Sequence, residues 1–494
     1  MLAEVYVIGQ AADMLSAGEI FFILHVMVQI AVVMRVLEHP RRQPTSRIAW
    51  LVVVLALPLV GIIAYLMLGE TNIGRRNRKA MLALADTRKN LSSGQEHSAD
   101  NPDCVPSEYA HLFSVGYSIS GFPAVAGNQA ELMSSSLAAI EAIVADIDAA
   151  CSTVDVLFYI WLTDGSGAKV AEALTRAAER GVACRAMVDG LGSRKLLRSR
   201  IWKRMAKAGV RTAVALPLGN PLLSPLQGRM DLRNHRKIVV IDGEITYCGS
   251  QNCADDAFRI KAKFAPWVDL MVRFTGPVAQ QNQVLFEMDW TVYTGEEVVT
   301  RAREATEQSA HVDAVAQVVA SGPILRYSAM PELYLSLIYR SRRELVISTP
   351  YYVPTQAMQE ALCASAYRGV QTTLILPARN DSREVAAASR SYYAQLLESG
   401  VHIHEYQGGL LHSKSLTLDG DITLIGSANM DQRSFDLNFE NNILIYSPSV
   451  TASVRERQQV YLDSARVVTP EEVANWPLGR RLWNNAVAML GPIL

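Results

Sequence analysis

The sequence predicts an α/β protein with two pseudo-symmetric lobes, each a mixed sheet flanked by helices, behind an N-terminal membrane segment. Three observations support this prediction. An 18-residue stretch that begins at His235 recurs at His412 with nine identical positions, which indicates an internal duplication. Helix and strand patterns alternate in the same order ahead of both copies, as in sheets covered by helices. Long apolar segments near the N-terminus precede both.

The N-terminal region, residues 1–75, is predicted to anchor the chain in a membrane through helices over about 11–36 and 48–68. The second segment holds 21 residues without a charge, long enough to cross the apolar core of a bilayer. The first is interrupted by Asp13 and Glu19. Two spans, or one span plus a re-entrant hairpin arm, both fit this pattern. Basic residues are equally frequent between the segments and after the second, so the positive-inside rule does not decide the orientation.

The rest of the chain divides into a linker and two lobes. We expect a juxtamembrane and linker segment over 76–125, a first lobe over 126–315 and a second lobe over 316–494. The first lobe should begin with helix 132–149, strand 154–161, helix 168–180 and strand 183–188. The second should repeat the order with helix 333–342, strand 344–348, helix 358–368 and strand 372–376. The periodicity of the apolar residues is the basis of these assignments.

The C-terminal residues 480–494 fit two interpretations. They could form an interfacial helix with Trp483 and Leu490 toward acyl chains, or a terminal helix docked on the protein. Before the first motif, residues 216–230 carry three prolines and several leucines and have no counterpart in the second half. They fit either a surface loop or an apolar lip that keeps water from the site.

Each repeat places a histidine and a lysine on one face of a strand. His235 and Lys237 are two residues apart, as are His412 and Lys414, and alternate residues of a strand point the same way. Imidazole and ammonium should therefore share a pocket wall. An Asp-Gly hairpin turn then brings the chain back to the same end of the sheet.

The return strands end in Gly-Ser-x-Asn and add donors from Ser250, Asn252, Ser427 and Asn429. Together with the cations these groups suit a phosphodiester. One histidine can attack phosphorus while the other, protonated, donates to the departing alkoxide. A single copy could equally be a histidine satisfied at a strand end, but packing does not require the polar pattern to recur. A lysine beside each histidine would repel a divalent cation, so we expect no metal and no cofactor.

HxKxxxxD followed by GSxN, present twice, resembles the phospholipase D superfamily, and the chain is more narrowly similar to bacterial cardiolipin synthases. The resemblance also includes RIAWLVVVLALPLVGIIAYLMLGE near the N-terminus, VLFYIW at 156–161, MDLRNHRK at 230–237, WVDL at 267–270, STPYYVP from 348 and DQRSFDLNFE from 431. It implies two phospholipase D-like lobes and transfer of a phosphatidyl group between two phosphatidylglycerol molecules, which gives cardiolipin and glycerol. A phospholipase D hydrolase or a phosphatidylserine synthase, using water or serine, is the alternative. A non-catalytic membrane scaffold is a remote alternative.

The resemblance also implies residue roles. His235 would be the nucleophile of a phosphohistidine intermediate and His412 the general acid, whereas the residues alone leave the two interchangeable. Asp269 and Glu440 occupy the downstream carboxylate positions of the two halves, where they would orient the histidines and support positive charge.

Asp242 and Asp419 complete the two catalytic motifs but lie at odd spacing from the histidines, in the hairpin turns. We expect them to support the site structurally, through a turn hydrogen bond or a contact across the pseudo-dyad.

Composition restricts the partners and the location. The formal net charge is −1 and there is no basic tract, which disfavours a nucleic-acid partner. The six cysteines include no CxxC, a pattern that favours reduced thiols and a cytoplasmic catalytic domain. The resemblance implies phospholipid substrates and a place in the bacterial inner membrane. The two apolar segments predict a multi-pass arrangement there, and a homo-oligomer stays open.

Overall fold

The computed structural model describes residues 16–39, 44–94, 104–218, 229, 231–296 and 314–489. The chain divides into two compact units. One comprises Met1–Gly74 with Gly219–Asp231, and the other comprises Arg75–Leu218 with Leu232–Leu494. Both repeats therefore lie within the second unit.

The described helices of the N-terminal unit are α1 (Ala17–Glu38), α2 (Pro44–Ala56) and α3 (Pro58–Leu68). Among them, α1 has 22 residues and a mean hydropathy of 2.3, and it is the one that is long and apolar enough to cross a membrane. Ser16 caps it, because its hydroxyl accepts from the amide of Glu19 at 3.3 Å.

The prediction of one continuous helix over 48–68 was wrong, because the chain breaks between α2 and α3. Leu57 leaves the helical region, with φ −127° and ψ 71°. Pro58, which follows it, has no amide hydrogen and disfavours helical geometry in the preceding residue. The first segment, although it contains Glu19, thus provides the continuous helix, over Ala17–Glu38.

The second unit contains one large mixed sheet, with 16 strands among the described residues. The strands of this unit are β1 (Val125–Leu132), β2 (Thr153–Phe158), β3 (Ala183–Asp189), β4 (Arg211–Ala215), β5 (Arg233–Asn234), β6 (Lys237–Ile241), β7 (Ile245–Gly249), β8 (Trp267–Val268), β9 (Met271–Thr275), β10 (Ala314–Ser321), β11 (Glu344–Ser348), β12 (Tyr352–Val353), β13 (Gln371–Pro377), β14 (His402–Tyr406), β15 (Leu410–Leu411), β16 (Ser415–Leu418), β17 (Ile422–Gly426), β18 (Met430–Asp431), β19 (Asn438–Tyr446) and β20 (Ala465–Val467).

The helices of this unit are α4 (Arg75–Gly94), α5 (Ser107–Ser120), α6 (Ser136–Ala149), α7 (Gly165–Glu179), α8 (Arg194–Leu197), α9 (Arg200–Lys207), α10 (Pro277–Thr294), α11 (Ala329–Arg340), α12 (Gln356–Tyr367), α13 (Arg383–Ser391), α14 (Tyr393–Glu398), α15 (Gln432–Asp436), α16 (Pro448–Asp463), α17 (Pro470–Ala474) and α18 (Leu478–Ala488). A 3₁₀ helix covers Arg259–Phe264.

The sheet confirms the pseudo-symmetry that the repeat predicts. Its strand order is β20-β14-β13-β11-β16-β17-β19-β10-β1-β9-β7-β6-β2-β3-β4, and β5 pairs with β19. Reading outward from the central antiparallel pair of β10 and β1, each side passes through equivalent strands in the same order. The outermost strand β20 belongs to the second repeat alone. One sheet therefore runs through both lobes.

The predicted helices and strands are all present, with shifted ends. Predicted helix 132–149 begins only at Ser136, because Leu132 ends β1 and the Ser135 hydroxyl accepts from the Ala138 amide at 3.1 Å. Capping by serine at this position explains the later start. Predicted strand 154–161 ends at Phe158.

The C-terminal helix α18 is docked on the protein through one face. Val487 packs in a cluster with Val385 and Ala388 of α13. Trp483 is 57% exposed on the other side, and Leu490 lies outside the described residues. An interfacial role for the exposed face stays a prediction.

Candidate active site

The two histidine and lysine pairs lie at the starts of equivalent strands. His235 lies between β5 and β6, and His412 lies between β15 and β16. All four side chains are buried. Lys237 Nζ donates to the carbonyl of His235 at 2.6 Å, and Lys414 Nζ donates to that of His412 at 2.7 Å. The duplication thus reproduces the same local geometry.

Each histidine is oriented by a carboxylate from the other lobe. His235 Nδ1 lies 2.9 Å from Glu440 of β19, and His412 Nδ1 lies 2.6 Å from Asp269, which follows β8. Two short pairs of parallel strands bring each histidine to the carboxylate of the other lobe, since β5 pairs with β19 and β15 pairs with β8. With Nδ1 held, Nε2 is the atom that each ring can offer to a substrate.

The motif serines support those carboxylates. The Ser250 hydroxyl donates to Asp269 at 2.6 Å, and the Ser427 hydroxyl donates to Glu440. The sequence suggested these serines as donors to the substrate. Since a hydroxyl has one hydrogen to donate, this geometry commits it to the carboxylate.

The motif asparagines form hydrogen bonds with segments next to the site. Asn252 accepts from the amide of Ile160 at 3.2 Å. Asn429 Nδ2 donates to the Ser434 hydroxyl at 3.1 Å. Both side chains are buried and tie the end of the return strand to a neighbouring segment.

Asp242 and Asp419 lie in the hairpin turns, each anchoring its turn to the start of a strand of the same lobe. Asp242 accepts from the amide of Ser152 at 2.7 Å and from that of Thr153 at 2.8 Å. Asp419 accepts from the amide of Glu344 at 3.0 Å. Neither predicted arrangement describes these bonds, because each carboxylate binds amides at the start of another strand of its own lobe, and neither its own turn nor a residue across the pseudo-dyad.

Burial sets the charge state of the site. It lowers the pKa of His235 to about 4, and with Lys414 it lowers the pKa of His412. Burial also lowers the pKa of Lys237 to about 8 and that of Lys414 to about 7. Although burial opposes it, His412 holds the pKa of Asp269 at about 2. The site therefore holds ionised carboxylates beside imidazoles that release a proton more readily than a free histidine does.

The two halves of the site act on one another. The charge of Lys414 also lowers the pKa of His235, although burial and the charge of Lys237 lower it more. The charge of Lys237 in turn contributes to lowering the pKa of His412, behind burial and Lys414. Both histidines and both lysines thus belong to one electrostatic site.

Aromatic rings line both histidines, and sequence reasoning did not single them out. Tyr159 lies 4.8 Å from the His235 ring, and Trp267 lies 4.7 Å from the His412 ring. Phe258 stacks on Trp267 at 3.9 Å. The tyrosine and the tryptophan fall in segments VLFYIW and WVDL, so their position next to the motifs was the available signal.

Arg236, between the two motif residues of the first repeat, was also missed. Its guanidinium is buried, with Nη1 2.6 Å from Asp289 of α10 and Nη2 donating to the Ser321 carbonyl at 3.1 Å. This pair fixes the connection between β5 and β6 that carries His235. The predicted lip over 216–230 lies for the most part outside the described residues, which include only 216–218 and 229 of it.

Comparison with known families agrees with the geometry. The family profile described as "Cardiolipin synthase, PLD-like domain" matches residues 143–290 and 334–459. A second profile, "Phospholipase_D-nuclease N-terminal", matches residues 23–70. The chain belongs to the cardiolipin synthase family. Family membership makes it a phosphatidyltransferase of the phospholipase D superfamily that uses phospholipids and associates with a membrane.

Relatives within the cardiolipin synthase family align over nearly the whole chain. Cardiolipin synthase A of Edwardsiella ictaluri is 35% identical over 478 residues, covering 94% of this chain and 96% of the relative. Cardiolipin synthase A of Erwinia tasmaniensis is 37% identical over 474 residues with the same coverage. The crystal structure of phosphatidylserine synthase from Haemophilus influenzae Rd KW20 has the same fold, with a TM-score of 0.59 at 14% identity, over 78% of this chain and 100% of that chain.

Proposed function

We propose that this protein joins two phosphatidylglycerol molecules into cardiolipin and glycerol through a phosphohistidine on His235. The observation that carries the proposal is the pair of buried imidazoles, each oriented through Nδ1 by an ionised carboxylate, in one site with two lysines. Such an arrangement provides a nucleophile, a proton donor and charge neutralisation for a phosphodiester without further groups.

In the first half-reaction, His235 Nε2 attacks the phosphorus of the first phosphatidylglycerol. The bond from phosphorus to the glycerol oxygen breaks, and His412 Nε2 gives its proton to that oxygen, so glycerol leaves. Positive charge develops on the His235 ring, and Glu440 stabilises it at 2.9 Å from Nδ1. Lys237 and Lys414 neutralise the non-bridging oxygens.

In the second half-reaction, the acceptor is the glycerol hydroxyl of another phosphatidylglycerol. His412, now neutral, takes the hydroxyl proton, the oxygen attacks phosphorus, and the bond to His235 breaks to release cardiolipin. The proton taken up restores the general acid for the next cycle. Burial and Lys414 lower the pKa of His412, whereas the negative charge of a phosphodiester beside the ring favours its protonation.

The assignment of His235 as nucleophile follows the superfamily. It is supported by burial, which lowers the pKa of His235 to about 4 and keeps the attacking ring neutral at physiological pH. His235→Ala and His412→Ala should each abolish turnover. A phosphatidyl adduct trapped on His412, and never on His235, would reverse the roles.

The decisive experiment gives purified protein vesicles of phosphatidylglycerol alone and quantifies the products. Cardiolipin and glycerol in equal amounts support transfer. Phosphatidic acid and glycerol would instead indicate a hydrolase, and phosphatidylserine after addition of serine would indicate a serine acceptor. His235→Ala is the inactive control.

We further propose a location in the bacterial inner membrane, without a nucleic-acid partner. The catalytic unit, which is the second unit of Arg75–Leu218 with Leu232–Leu494, would lie in the cytoplasm. The apolar helix α1 and the lipid substrates of the family support the location. For the lobes we propose 126–315 and 316–494, preceded by a membrane region over 1–75 and a linker over 76–125. The two separate profile matches at 143–290 and 334–459 support this division. A homo-oligomer stays a prediction, tested by light scattering in detergent. The multi-pass arrangement expected from the sequence is untested, and the topology mapping described in the next subsection compares it with a single span.

A further inference from the structure

The hairpin of α2 and α3 is too short to cross a bilayer in either arm. The two helices contain 13 and 11 residues, which at 1.5 Å per residue gives lengths of about 20 Å and about 16 Å. The apolar core of a bilayer is about 30 Å thick. With 22 residues, α1 is about 33 Å long and can span that core alone.

Contacts within the N-terminal unit bring both ends of this hairpin to one end of α1. Arg47, at the start of α2, donates to the carbonyl of His39 just past α1 at 2.9 Å. Gln29, in the middle of α1, donates to a carbonyl near the end of α2 at 2.9 Å. After α3, Glu70 forms a bidentate pair with Arg35 at 2.7 and 2.9 Å. The chain therefore runs back along α1 and then returns.

The hairpin is built into the sequence by a proline and a glycine. Pro58 ends the hydrogen-bond ladder between the arms. A Cβ on Gly61 would lie 2.3 Å from the carbonyl oxygen of Val53, so only glycine allows this close contact. The outer surface of the hairpin is apolar and more than half exposed at Ile48, Val52, Leu55, Leu57, Leu59, Val60, Ile63 and Leu66. Acyl chains are the cover that this surface needs.

We propose that α1 is the single span among the described helices, and that α2 and α3 form a re-entrant arm on the side of the catalytic unit. This topology decides the orientation. All basic residues from 35 to 79 then lie on one side, namely Arg35, Arg41, Arg42, Arg47, Arg75, Arg76, Arg78 and Lys79. Residues 1–16 contain no Lys or Arg. By the positive-inside rule, the catalytic unit faces the cytoplasm and residue 16 faces the outside.

Cysteine labelling tests this topology, because all six native cysteines belong to the catalytic unit, beginning at Cys104. Spheroplasts would be treated with a membrane-impermeant maleimide. Wild-type protein should be labelled only after lysis, at the exposed Cys151. Ser16→Cys should be labelled from outside. Gly18→Cys, where a new Cβ meets only a serine oxygen at 3.9 Å, serves as the second variant should loss of the helix cap disturb folding.

Two outcomes would overturn the topology. Protection of the cysteine at position 16 together with the native cysteines would mean that the chain crosses twice. External labelling of the wild-type protein would mean that the catalytic unit faces outward. Retained cardiolipin synthesis in both variants shows that the labelled protein is folded.

A second inference concerns the basic segment Arg259–Phe264, which lies on the His412 side of the site. It follows Phe258, whose ring stacks on Trp267 at 3.9 Å. Trp267 lies 4.7 Å from the His412 ring. This chain of ring contacts ties the basic segment to the histidine that handles the acceptor hydroxyl.

Two of the three cations of the basic segment are available to a ligand. Lys261 is paired with Asp381 at 2.5 Å, and Tyr351 donates to the same carboxylate at 2.7 Å, which clamps the segment to the second lobe. Arg259 and Lys263 are exposed. Neither lies within ion-pair distance of a carboxylate in the described part of the chain.

The proposed acceptor carries a phosphate of its own, one glycerol away from the hydroxyl that reacts. In the proposed reaction Lys237 and Lys414 neutralise the reacting phosphate, so the phosphate of the acceptor needs other cations. In an in-line displacement the acceptor oxygen arrives opposite His235, and thus beside His412. We propose that Arg259 and Lys263 bind the phosphate of the acceptor phosphatidylglycerol, an inference that rests on the proposed function.

Competition between acceptors tests this site. Vesicles of phosphatidylglycerol would be supplied with ethanol, so that cardiolipin and phosphatidylethanol form from the same donor. The double variant Arg259→Gln, Lys263→Gln should lower the ratio of cardiolipin to phosphatidylethanol at least tenfold, because ethanol has no phosphate to bind. Arg259→Lys, Lys263→Arg should keep the ratio. Lys203→Gln, Lys207→Gln on α9 removes two exposed cations elsewhere and is the matched control.

An unchanged ratio in the glutamine variant would overturn the acceptor site. An equal fall of both products would assign the basic segment to donor binding or membrane attachment and would also overturn it. Failure of the wild-type protein to make cardiolipin at all would refute the proposed function instead, so the two failures are distinguishable.

Discussion

The crossed histidine and carboxylate pairs predict the effect of one isosteric substitution, Glu440→Gln. Glu440 is fully buried, and its oxygens accept from His235 Nδ1 at 2.9 and 3.0 Å and from Asn438 at 3.1 Å. Ser427 also donates to it. Each of these neighbours donates a hydrogen bond to Glu440. The NH2 group of a glutamine can only donate, so in either orientation of the amide it would face another donor. The His235 ring then loses its charge partner and its fixed tautomer.

The magnitude follows from these contacts. A hydrogen bond to a charged group contributes about 1.5–3 kcal/mol, which corresponds to roughly a tenfold to 150-fold change in rate. Holding a catalytic histidine in the wrong tautomer can cost about 10⁴-fold. We therefore expect Glu440→Gln to lower kcat/KM for phosphatidylglycerol by about 10²- to 10⁴-fold, with the melting temperature measured in parallel.

The matched variant is Asp269→Asn, which removes the partner of His412. Both variants would be assayed by rapid quench with phosphatidylglycerol and with a phosphatidyl ester of nitrophenol. The nitrophenolate leaves without a proton, so the first half-reaction of Asp269→Asn should recover with the ester. The first half-reaction of Glu440→Gln should stay slow with both substrates, since His235 must attack phosphorus whichever group leaves.

In the opposite pattern the ester would restore the rate of the first half-reaction in Glu440→Gln and not in Asp269→Asn. That result would mean that His412 is the nucleophile and His235 the general acid. Equal losses with both substrates in both variants would refute the division into nucleophile and general acid.

Three further outcomes are expected. Asp242→Asn and Asp419→Asn should lower the free energy of unfolding by about 1–3 kcal/mol yet leave the activity of folded protein unchanged; denaturant titration with active-site counting checks this, and inactive but fully folded protein would contradict it. Burial lowers the pKa of Lys414 to about 7, and an anion bound beside it raises that pKa. The affinity for sulfate, whose own charge is constant in this range, should therefore fall as pH rises above 7, whereas calorimetry showing constant affinity from pH 6 to 8.5 would exclude this linkage. Because Lys237 and Lys414 neutralise the phosphate, chelators should leave turnover in neutral detergent micelles unchanged; activity lost on chelation and restored stoichiometrically by a divalent ion would contradict this.

Much of this molecule was predictable from local patterns. The duplicated motif, the position of His235 and His412 just ahead of equivalent strands, and the helix and strand order follow from short-range periodicity, which the sequence displays directly. The turn position of Asp242 also follows from its Asp-Gly pair. Helix ends were less predictable, because a capping serine such as Ser135 competes with the apolar pattern.

The break at Pro58 was visible in the sequence but was outweighed by length and hydropathy. Whether a proline kinks or splits an apolar segment depends on what the two pieces contact. Here Gly61 lets α3 pack against the backbone of α2, and Arg35 pairs with Glu70 across 35 residues. Those contacts make the hairpin, and no hydropathy window contains them.

The sequence by itself determined the reactive groups, their duplication and their local strand geometry. Only the tertiary structure decided that Glu440 serves His235 and Asp269 serves His412, across 205 and 143 residues of chain. The same structure turned the motif serines toward those carboxylates. The physical reason is that the pairing of β5 with β19 and of β15 with β8 depends on how the two lobes share one sheet, and the local sequence of neither lobe contains that choice.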